Sequence, residues 1–416
     1  MQIRYFDHAA TTQIKKDVLD EMMPYLDDEY GNPSSVHIKG IKAKEAVIEA
    51  REKIAKCINA EPEEIYFTSG GTEADNTAIK GFARANKKKG NHIITTKIEH
   101  KAVLESCKVL EDEGFDITYL NVDKYGVVDL EELEEAINEK TILISVMFAN
   151  NEIGTIEPIK EIGKIAKKHN VAFHTDAVQA MGNVKIDVKD LEIDMLSMSA
   201  HKFYGPKGIG TLYVSKNINF NSILNGGGQE RHKRAGTENV ANIVGMGKAL
   251  EIATNNIEKY NDKLYKLSKT FLDEINNNFF DVKLNGHPIK RLRGNVNISL
   301  KNIDAESLLL LLSEKGICIS TTSACSSNNK TISHVLKSIG LTNEEAKGTI
   351  RITFGDDNTI KDVNFLAENV IEIVKKIAEM WWKKALNIAD ARVTKHYYYN
   401  IITKILQFYS KYCNAY

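Results

Sequence analysis

The chain has 416 residues, too many for one compact core, so two domains are the expectation. With 55 basic and 56 acidic residues its net charge is −1, which gives no electrostatic case for nucleic acid or an anionic membrane. No apolar run reaches the roughly 18 residues that span a bilayer, and the N-terminus lacks the basic-then-apolar pattern of a signal peptide. The five cysteines form no CxxC pair, so neither a disulfide framework nor a structural zinc site is expected, and a reducing cytoplasm is the expected compartment.

Residues 1–15 read as an extended polar segment containing Asp7-His-Ala-Ala-Thr-Thr12. Val18, Leu19, Met22, Met23 and Leu26 then recur at helical spacing. Gly31-Asn-Pro-Ser-Ser-Val-His37 is a turn-rich loop whose serine is the expected N-cap of a helix bearing Val47, Ala50, Ile54 and Ile58 on one face.

From Glu64 short apolar strands alternate with amphipathic helices. The strand candidates are Ile65–Thr68, Ile93–Thr95, Ile117–Leu120, Ile142–Phe148, Val171–His174, Met195–Met198 and Ile209–Val214. This alternation predicts an α/β domain with a mainly parallel sheet, in which ligands bind at the carboxyl ends of the strands. A long helical region follows to about Asn278. Strands near Val282, Val296, Ile317 and Ile350 and a helix over 305–315 then predict a smaller α+β domain, closed by a helix over about 361–380. The expected division is 1–15 packing with the small domain, 16–254 as the large domain, 255–380 as the small one, and 381–416 as an aromatic helical tail. In that tail Ile401, Ile405 and Phe408 form one apolar stripe, which is expected to be covered and to have no part in chemistry.

The chemistry-bearing motifs sit at strand ends. Thr68-Ser-Gly-Gly-Thr-Glu-Ala-Asp-Asn76 is a Gly-rich strand-to-helix turn, suited to phosphate through free backbone N–H groups and the Thr72 hydroxyl. Glu99-His100 supplies an imidazole that can stack on a flat ring. Asn150-Asn151 ends an apolar strand and also reads as a simple turn. His174-Thr-Asp-Ala-Val-Gln179 and Ser199-Ala-His-Lys202 follow two further strands. An aspartate at one strand end and a lysine at a later one form the pair that pyridoxal phosphate requires: a carboxylate for the pyridinium nitrogen and an amine for the aldehyde. Arg231-His-Lys-Arg-Ala-Gly-Thr237 is a basic loop able to reach an anion or to remain a solvated charged loop. Cys325 lies inside a long polar, small-residue stretch, where a thiol is accessible; Cys57, Cys107 and Cys318 read as structural. Arg351 on a strand can clamp a carboxylate or pair with an acidic neighbour.

Together, Asp7-His-Ala-Ala-Thr-Thr, Gly31-Asn-Pro-Ser-Ser-Val-His, Thr68-Ser-Gly-Gly-Thr-Glu, Asn150-Asn-Glu-Ile-Gly, Ser199-Ala-His-Lys and Ser323-Ala-Cys-Ser resemble the cysteine desulfurases of the NifS/IscS type, among the fold-type-I pyridoxal-phosphate enzymes (aminotransferase class V). The resemblance covers residues 3–380. It implies a large domain with a mainly parallel seven-stranded sheet plus a smaller α+β C-terminal domain. It implies Lys202 as the Schiff-base lysine, Asp176 at the ring nitrogen, Gln179 at the ring hydroxyl and His100 on the ring face, where His100 also serves in proton transfer. Gly71, Thr72, Ser199 and His201 would hold the phosphate, with Thr237 from the second subunit of a homodimer. Asn151 would lie against cofactor and substrate, Arg351 would bind the L-cysteine carboxylate, and Cys325 would take the sulfur as a persulfide. A sulfur-acceptor or iron–sulfur scaffold protein is the implied partner, and no metal ligand is implied. The chain departs from the family in reading Thr321-Thr322-Ser-Ala-Cys325, with no glycine before the serine, and in residues 381–416. A selenocysteine lyase or aminotransferase with the same cofactor, and a docking scaffold without catalysis, remain alternatives; the intact Lys202, Asp176 and Cys325 set argues against the scaffold.

Overall fold

The computed structural model describes residues 2–279, 281–321 and 332–390, with side chains up to 379. The chain forms two compact units: a larger one of residues 9–261 and 286–292, and a smaller one of residues 2–8, 262–285 and 293 onward. The segment expected to run as one piece over 1–15 thus divides between the units after His8. The larger unit extends past 254 to Asn261.

The larger unit is built on a seven-stranded sheet in the order Ile65–Thr68, Gly210–Val214, Met195–Ser199, Ala172–Asp176, Thr141–Ser145, His92–Thr96, Asp116–Leu120. Only Gly210–Val214 runs antiparallel to its neighbours. Successive residues of a strand point to opposite faces, and here both faces are apolar. Ile94, Ile144, Phe173 and Leu196 join a core with Val18, Val47, Ile54 and Val244. Their chain neighbours Ile93, Leu143, Ala172 and Met195 join another with Ile79, Val103 and Leu110. Polar groups with no place on either face collect at the strand ends.

The helix expected to be capped by serine starts at Ile38, and its cap is His37, whose Nδ1 accepts from the Gly40 N–H at 3.3 Å. The helix after Ile65–Thr68 begins at Gly71 and widens to one π turn at Thr77–Gly81 before continuing to Asn86. Such insertions re-aim side chains and are frequent near functional groups. The region after Asn239 is two helices, Val240–Asn255 and Ile257–Asn278.

In the smaller unit an antiparallel sheet runs Ser320–Thr321, Thr349–Thr353, Asn295–Leu300, Val282–Leu284. Alternation sends Val296, Ile298, Ile350 and Ile352 into a core with Phe271, Leu308, Val363 and Val370. Arg4–Tyr5 pairs in parallel with Ile317–Cys318, so the expected single strand over 317–320 is two short ones. The last helix is continuous over Ile360–Asp390, across the expected boundary at 380, because its sequence contains no proline or glycine to stop it. Ile401, Ile405 and Phe408 lie outside the described residues.

Candidate active site at the strand ends of the larger unit

The strand Met195–Ser199 runs into a single tight turn, Ala200–Lys202, that turns the Lys202 side chain back toward the segment Ala9–Thr12. There Lys202 Nζ donates to the carbonyls of Ala9 at 2.6 Å and Ala10 at 2.8 Å. Ala9 O also accepts from Gln179 Nε2 at 3.0 Å, so the lysine and the glutamine meet over one carbonyl. The N-terminal motif Asp7-His-Ala-Ala-Thr-Thr therefore reaches this site: the Ala9 and Ala10 carbonyls hold the Lys202 amine.

Asp176, the last residue of its strand, is buried, and its Oδ1 accepts from the Val178 N–H at 2.9 Å. Burial raises its pKa, opposed by His100, by the Val178 N–H and by Lys202. His100 caps the helix Lys101–Asp112, with Nδ1 accepting from the Ala102 N–H at 3.2 Å, and its ring is exposed. Donor atoms of His100, Asp176 and Asp75 lie within 4.8 Å of one another.

A cavity of about 410 Å³ lies beside this group, lined by Gly71, Thr72, Ser199 and His201 together with Thr11, Ser69 and Lys207. Gly70 sits at φ 153°, a backbone conformation that side-chain-bearing residues avoid. A Cβ on Gly71 would meet Val178 Cγ2 at 2.7 Å. The turn is thus bare backbone at the start of a helix, where N–H groups face the cavity and suit an anion. His201 is held near pKa 4, first by burial and then by Lys202 and Lys207; its Nδ1 lies 3.1 Å from Thr11 Oγ1. Hydroxyls, an imidazole and bare N–H groups lining the cavity match the phosphate of pyridoxal phosphate, and the Lys202 amine and buried Asp176 carboxylate, outside that lining, match its aldehyde and ring nitrogen.

Asn150 turns out to build the loop: its Oδ1 accepts from the N–H groups of Glu152 and Ile153, and its Nδ2 donates to Ile98 O. Asn151 is half-buried beside it. In the basic loop, Arg234 pairs with Glu73 at 2.9 Å, Arg231 lies over the Tyr66 ring and Lys233 over Phe220; Thr237 is exposed. Those cations are held by their own unit, while Thr237 is exposed along with Arg231 and His232. In the smaller unit Arg351 is buried and pairs with Asp7 at 2.8 Å. Cys325 lies outside the described residues. Cys107 is buried, and Cys57 and Cys318 are partly so.

The sequence reading passed over Asp75 and His174. Asp75, Ala78, Ile79 and Phe82 follow the i, i+3, i+4, i+7 spacing of one helix face, so a carboxylate stands at the head of an otherwise apolar stripe. His174 sits mid-pattern in a strand whose neighbours are core. Both were legible as polar residues at core positions.

The family model described as aminotransferase class-V matches residues 4–366. A curated relative named cysteine desulfurase IscS, from Clostridium botulinum, is 54% identical over 378 residues, covering 90% of this chain and 95% of its own. One of the same name from Methanosarcina thermophila is 54% identical over 376 residues, covering 90% and 93%. Among solved structures, a NifS-like protein superposes with a TM-score of 0.85 at 40% identity, covering 90% of this chain and 100% of its own.

Proposed function

This chain belongs to the class-V aminotransferase family and is a pyridoxal-phosphate-dependent cysteine desulfurase, and from that premise we propose how its own residues divide the work. The observation that carries the assignment is the convergence of Lys202, Asp176 and His100 beside the cavity lined by Gly71, Thr72, Ser199 and His201.

When bound, pyridoxal phosphate supplies an electron sink for charge developing at the substrate Cα. Lys202 would hold its aldehyde, and its free amine would take the Cα proton on Nζ. The two carbonyls that hold Nζ keep the amine close to its place between these tasks. Asp176 holds a proton at the ring nitrogen, Gln179 donates to the ring hydroxyl and His100 covers the ring face. Gly71, Thr72, Ser199 and His201 bind the phosphate. His201 does so as a neutral imidazole at pH 7, offering one N–H without adding charge. Asn151 and Arg351 orient the substrate carboxylate; Arg351 then shares its guanidinium between that carboxylate and Asp7.

The Cys325 thiolate attacks the substrate Sγ. A sulfur–sulfur bond forms, the Cβ–Sγ bond breaks with its electron pair going to Cβ, and the carbons leave as alanine after protonation. His100 serves proton transfer at the sulfur groups. The persulfide sulfur passes to an acceptor protein, for iron–sulfur cluster assembly or thiolation.

A two-fold homodimer completes the phosphate site with Thr237 from the second subunit. Its support is a face of the larger unit where Leu19, Met23 and Leu26 are 42%, 49% and 58% exposed at helical spacing, continued by Val36 and Ile38 at 93% and 67%. An apolar surface of that kind calls for cover. The described cysteines Cys57, Cys107 and Cys318 are unbridged, in keeping with a cytoplasmic enzyme.

The test is alanine and sulfide formation from L-cysteine by wild type and Cys325→Ala. Alanine without a keto acid, and its loss in the variant with the cofactor's yellow colour retained, is the expected result. Transamination without sulfide would return the chain to the aminotransferases.

A further inference from the structure

Behind Asp176 lies a line of buried polar groups to which the sequence motifs assign no function. His174 is fully buried and its Nδ1 lies 2.9 Å from Ser145 Oγ, while its Nε2 lies 3.0 Å from Ser197 Oγ. Ser197 in turn donates to Asp75. Asp75 is 1% exposed, its Oδ1 accepts no hydrogen bond, and its carboxylate lies within 4.8 Å of those of Asp176 and His100's ring nitrogen. Glu99, also buried, faces the same space; its Oε1 accepts from Thr96 Oγ1 at 2.8 Å and the Met147 N–H at 2.9 Å.

Two carboxylates this close and this dry cannot both ionise. Asp176 has a backbone N–H donor, and His100 and Lys202 nearby favour its charged form. Asp75 has one hydroxyl donor, and both Asp176 and Glu99 oppose its ionisation. His174 gives it no counter-charge, because burial holds the imidazole neutral, near pKa 3, although its Nε2 is 3.8 Å from Asp75 Oδ1. The hydrogen bonds join the line end to end, Ser145 Oγ to Nδ1 and Nε2 to Ser197 Oγ, with Asp75 beyond Ser197. Every group in it is neutral.

We propose that Asp75 is a positioning residue for the cofactor's ring nitrogen: its carboxyl stays protonated at the end of the Ser145–His174–Ser197 line, so the buried pair carries one negative charge and that charge sits on Asp176. Asp75 thereby fixes which carboxylate faces the ring and keeps the second charge out of a site that must hold a cationic ring. This rests on Asp176 being the ring nitrogen's partner.

The test uses the cofactor-loaded enzyme and two variants. Asp75→Asn keeps the shape and the neutral charge; Asp75→Leu keeps the volume and removes the polar end. The readouts are the pH midpoint of the cofactor's visible absorption and the infrared carbonyl band of protonated carboxyls. The wild-type-minus-Asn infrared difference should contain one protonated-carboxyl band. The Asn midpoint should stay within about 0.3 pH unit of wild type, and the Leu midpoint should move by about one unit, the size expected when a neighbour of a buried ionised group is lost. An Asn shift as large as that of Leu would mean a charge had been removed and overturns the proposal. So does an infrared difference without the band. So does an unshifted Leu midpoint, which would leave Asp75 a purely structural group. Should Asp75→Leu fail to fold, the Asn midpoint and the infrared difference decide alone. A wild type that binds no cofactor would count against the proposed site itself, a separate outcome from these.

Discussion

The two sheets both bury polar side chains, one among neighbouring side-chain partners and the other beside a cavity. In the four-stranded sheet the face turned away from the apolar core carries Asn297, Ser299, Thr349 and Arg351, all buried, and they bond to one another and to their neighbours. Asn285 Nδ2 donates to Asn297 Oδ1 and to Ser299 Oγ, both at 2.8 Å; Ser299 Oγ lies 2.7 Å from Thr349 Oγ1; Arg351 pairs with Asp7. At the strand ends of the seven-stranded sheet the ledger stays open. Asp75 Oδ1, Thr95 Oγ1 and Thr175 Oγ1 are buried without a hydrogen bond, and Lys202 Nζ donates to two backbone carbonyls. Buried polar groups that satisfy each other make structure. Those gathered beside a cavity are placed to meet a ligand.

Removing Lys202 tests that division most severely. Lys202→Ala should abolish the cofactor's visible band and lower desulfuration by at least about a thousandfold, since Lys202 is the amine proposed to hold the cofactor's aldehyde. The unfolding midpoint of the apoprotein should move far less than activity, because the Lys202 amine reaches backbone carbonyls at Ala9 and Ala10 rather than the apolar core. A borohydride-reducible yellow band retained in the variant would break the comparison at its strongest point.

The opposite pattern is expected in the other sheet. Asn297→Leu leaves Asn285 short of an acceptor in a buried place, which costs about 2 kcal/mol of stability. Urea unfolding should show that loss while the cofactor's absorption stays as in wild type. A variant that kept its stability and lost the cofactor band would place Asn297 with the binding groups.

Arg351 is the residue on which the two kinds of region overlap, being already paired yet assigned to the substrate. Arg351→Lys keeps the charge and removes the planar fork. It should raise the KM for cysteine about tenfold with kcat changed little, because a guanidinium serves two carboxylates where an ammonium serves one poorly. An unchanged KM together with a lower unfolding midpoint would confine Arg351 to its bond with Asp7.

These contrasts also explain what could be read from the chain beforehand. The alternation of apolar strands and helices was legible because both faces of the parallel sheet are covered. The strand Thr141–Ser145 is shorter than the apolar run at 142–148, although the backbone at Val146 and Phe148 still donates to His174 and Asp176 of the neighbouring strand. Lys202, Asp176 and the Gly70–Gly71 turn stood out because their residue types are unusual at strand ends. The Lys202 clamp was not legible: it consists of the carbonyls of Ala9 and Ala10, and side-chain types say nothing about carbonyls. Asp75 and His174 were legible as anomalies in core patterns, but their relation to Asp176 depends on bringing a helix and two strands together. Likewise the His37 cap replaced a serine cap, since the backbone turns three residues later than composition suggested.

The smallest effect concerns acid stability, and it decides whether His174 belongs with the open or the closed kind of cluster. His174 is neutral when folded, near pKa 3, against about 6.5 for an exposed imidazole. On acidification the unfolded chain therefore takes up the proton first. The stability tied to this group is fully present above about pH 6.5 and is lost progressively as the pH falls toward 3. Glu99 and Glu157, both pushed up to about 8 by burial, act in the other sense: their contribution is present below about pH 4.5 and is lost as the pH rises through 8. His174→Gln keeps a donor and an acceptor for Ser145 and Ser197 but cannot titrate. The slope of unfolding free energy against pH between about 6 and 4 should therefore fall by close to one proton, while the alkaline limb keeps its shape. If the slope is unchanged, the imidazole is already charged in the folded protein and forms an ion pair with Asp75 across 3.8 Å. The strand-end line would then be a closed cluster like that of Asn285, Asn297 and Ser299, and Asp75 would carry a charge of its own.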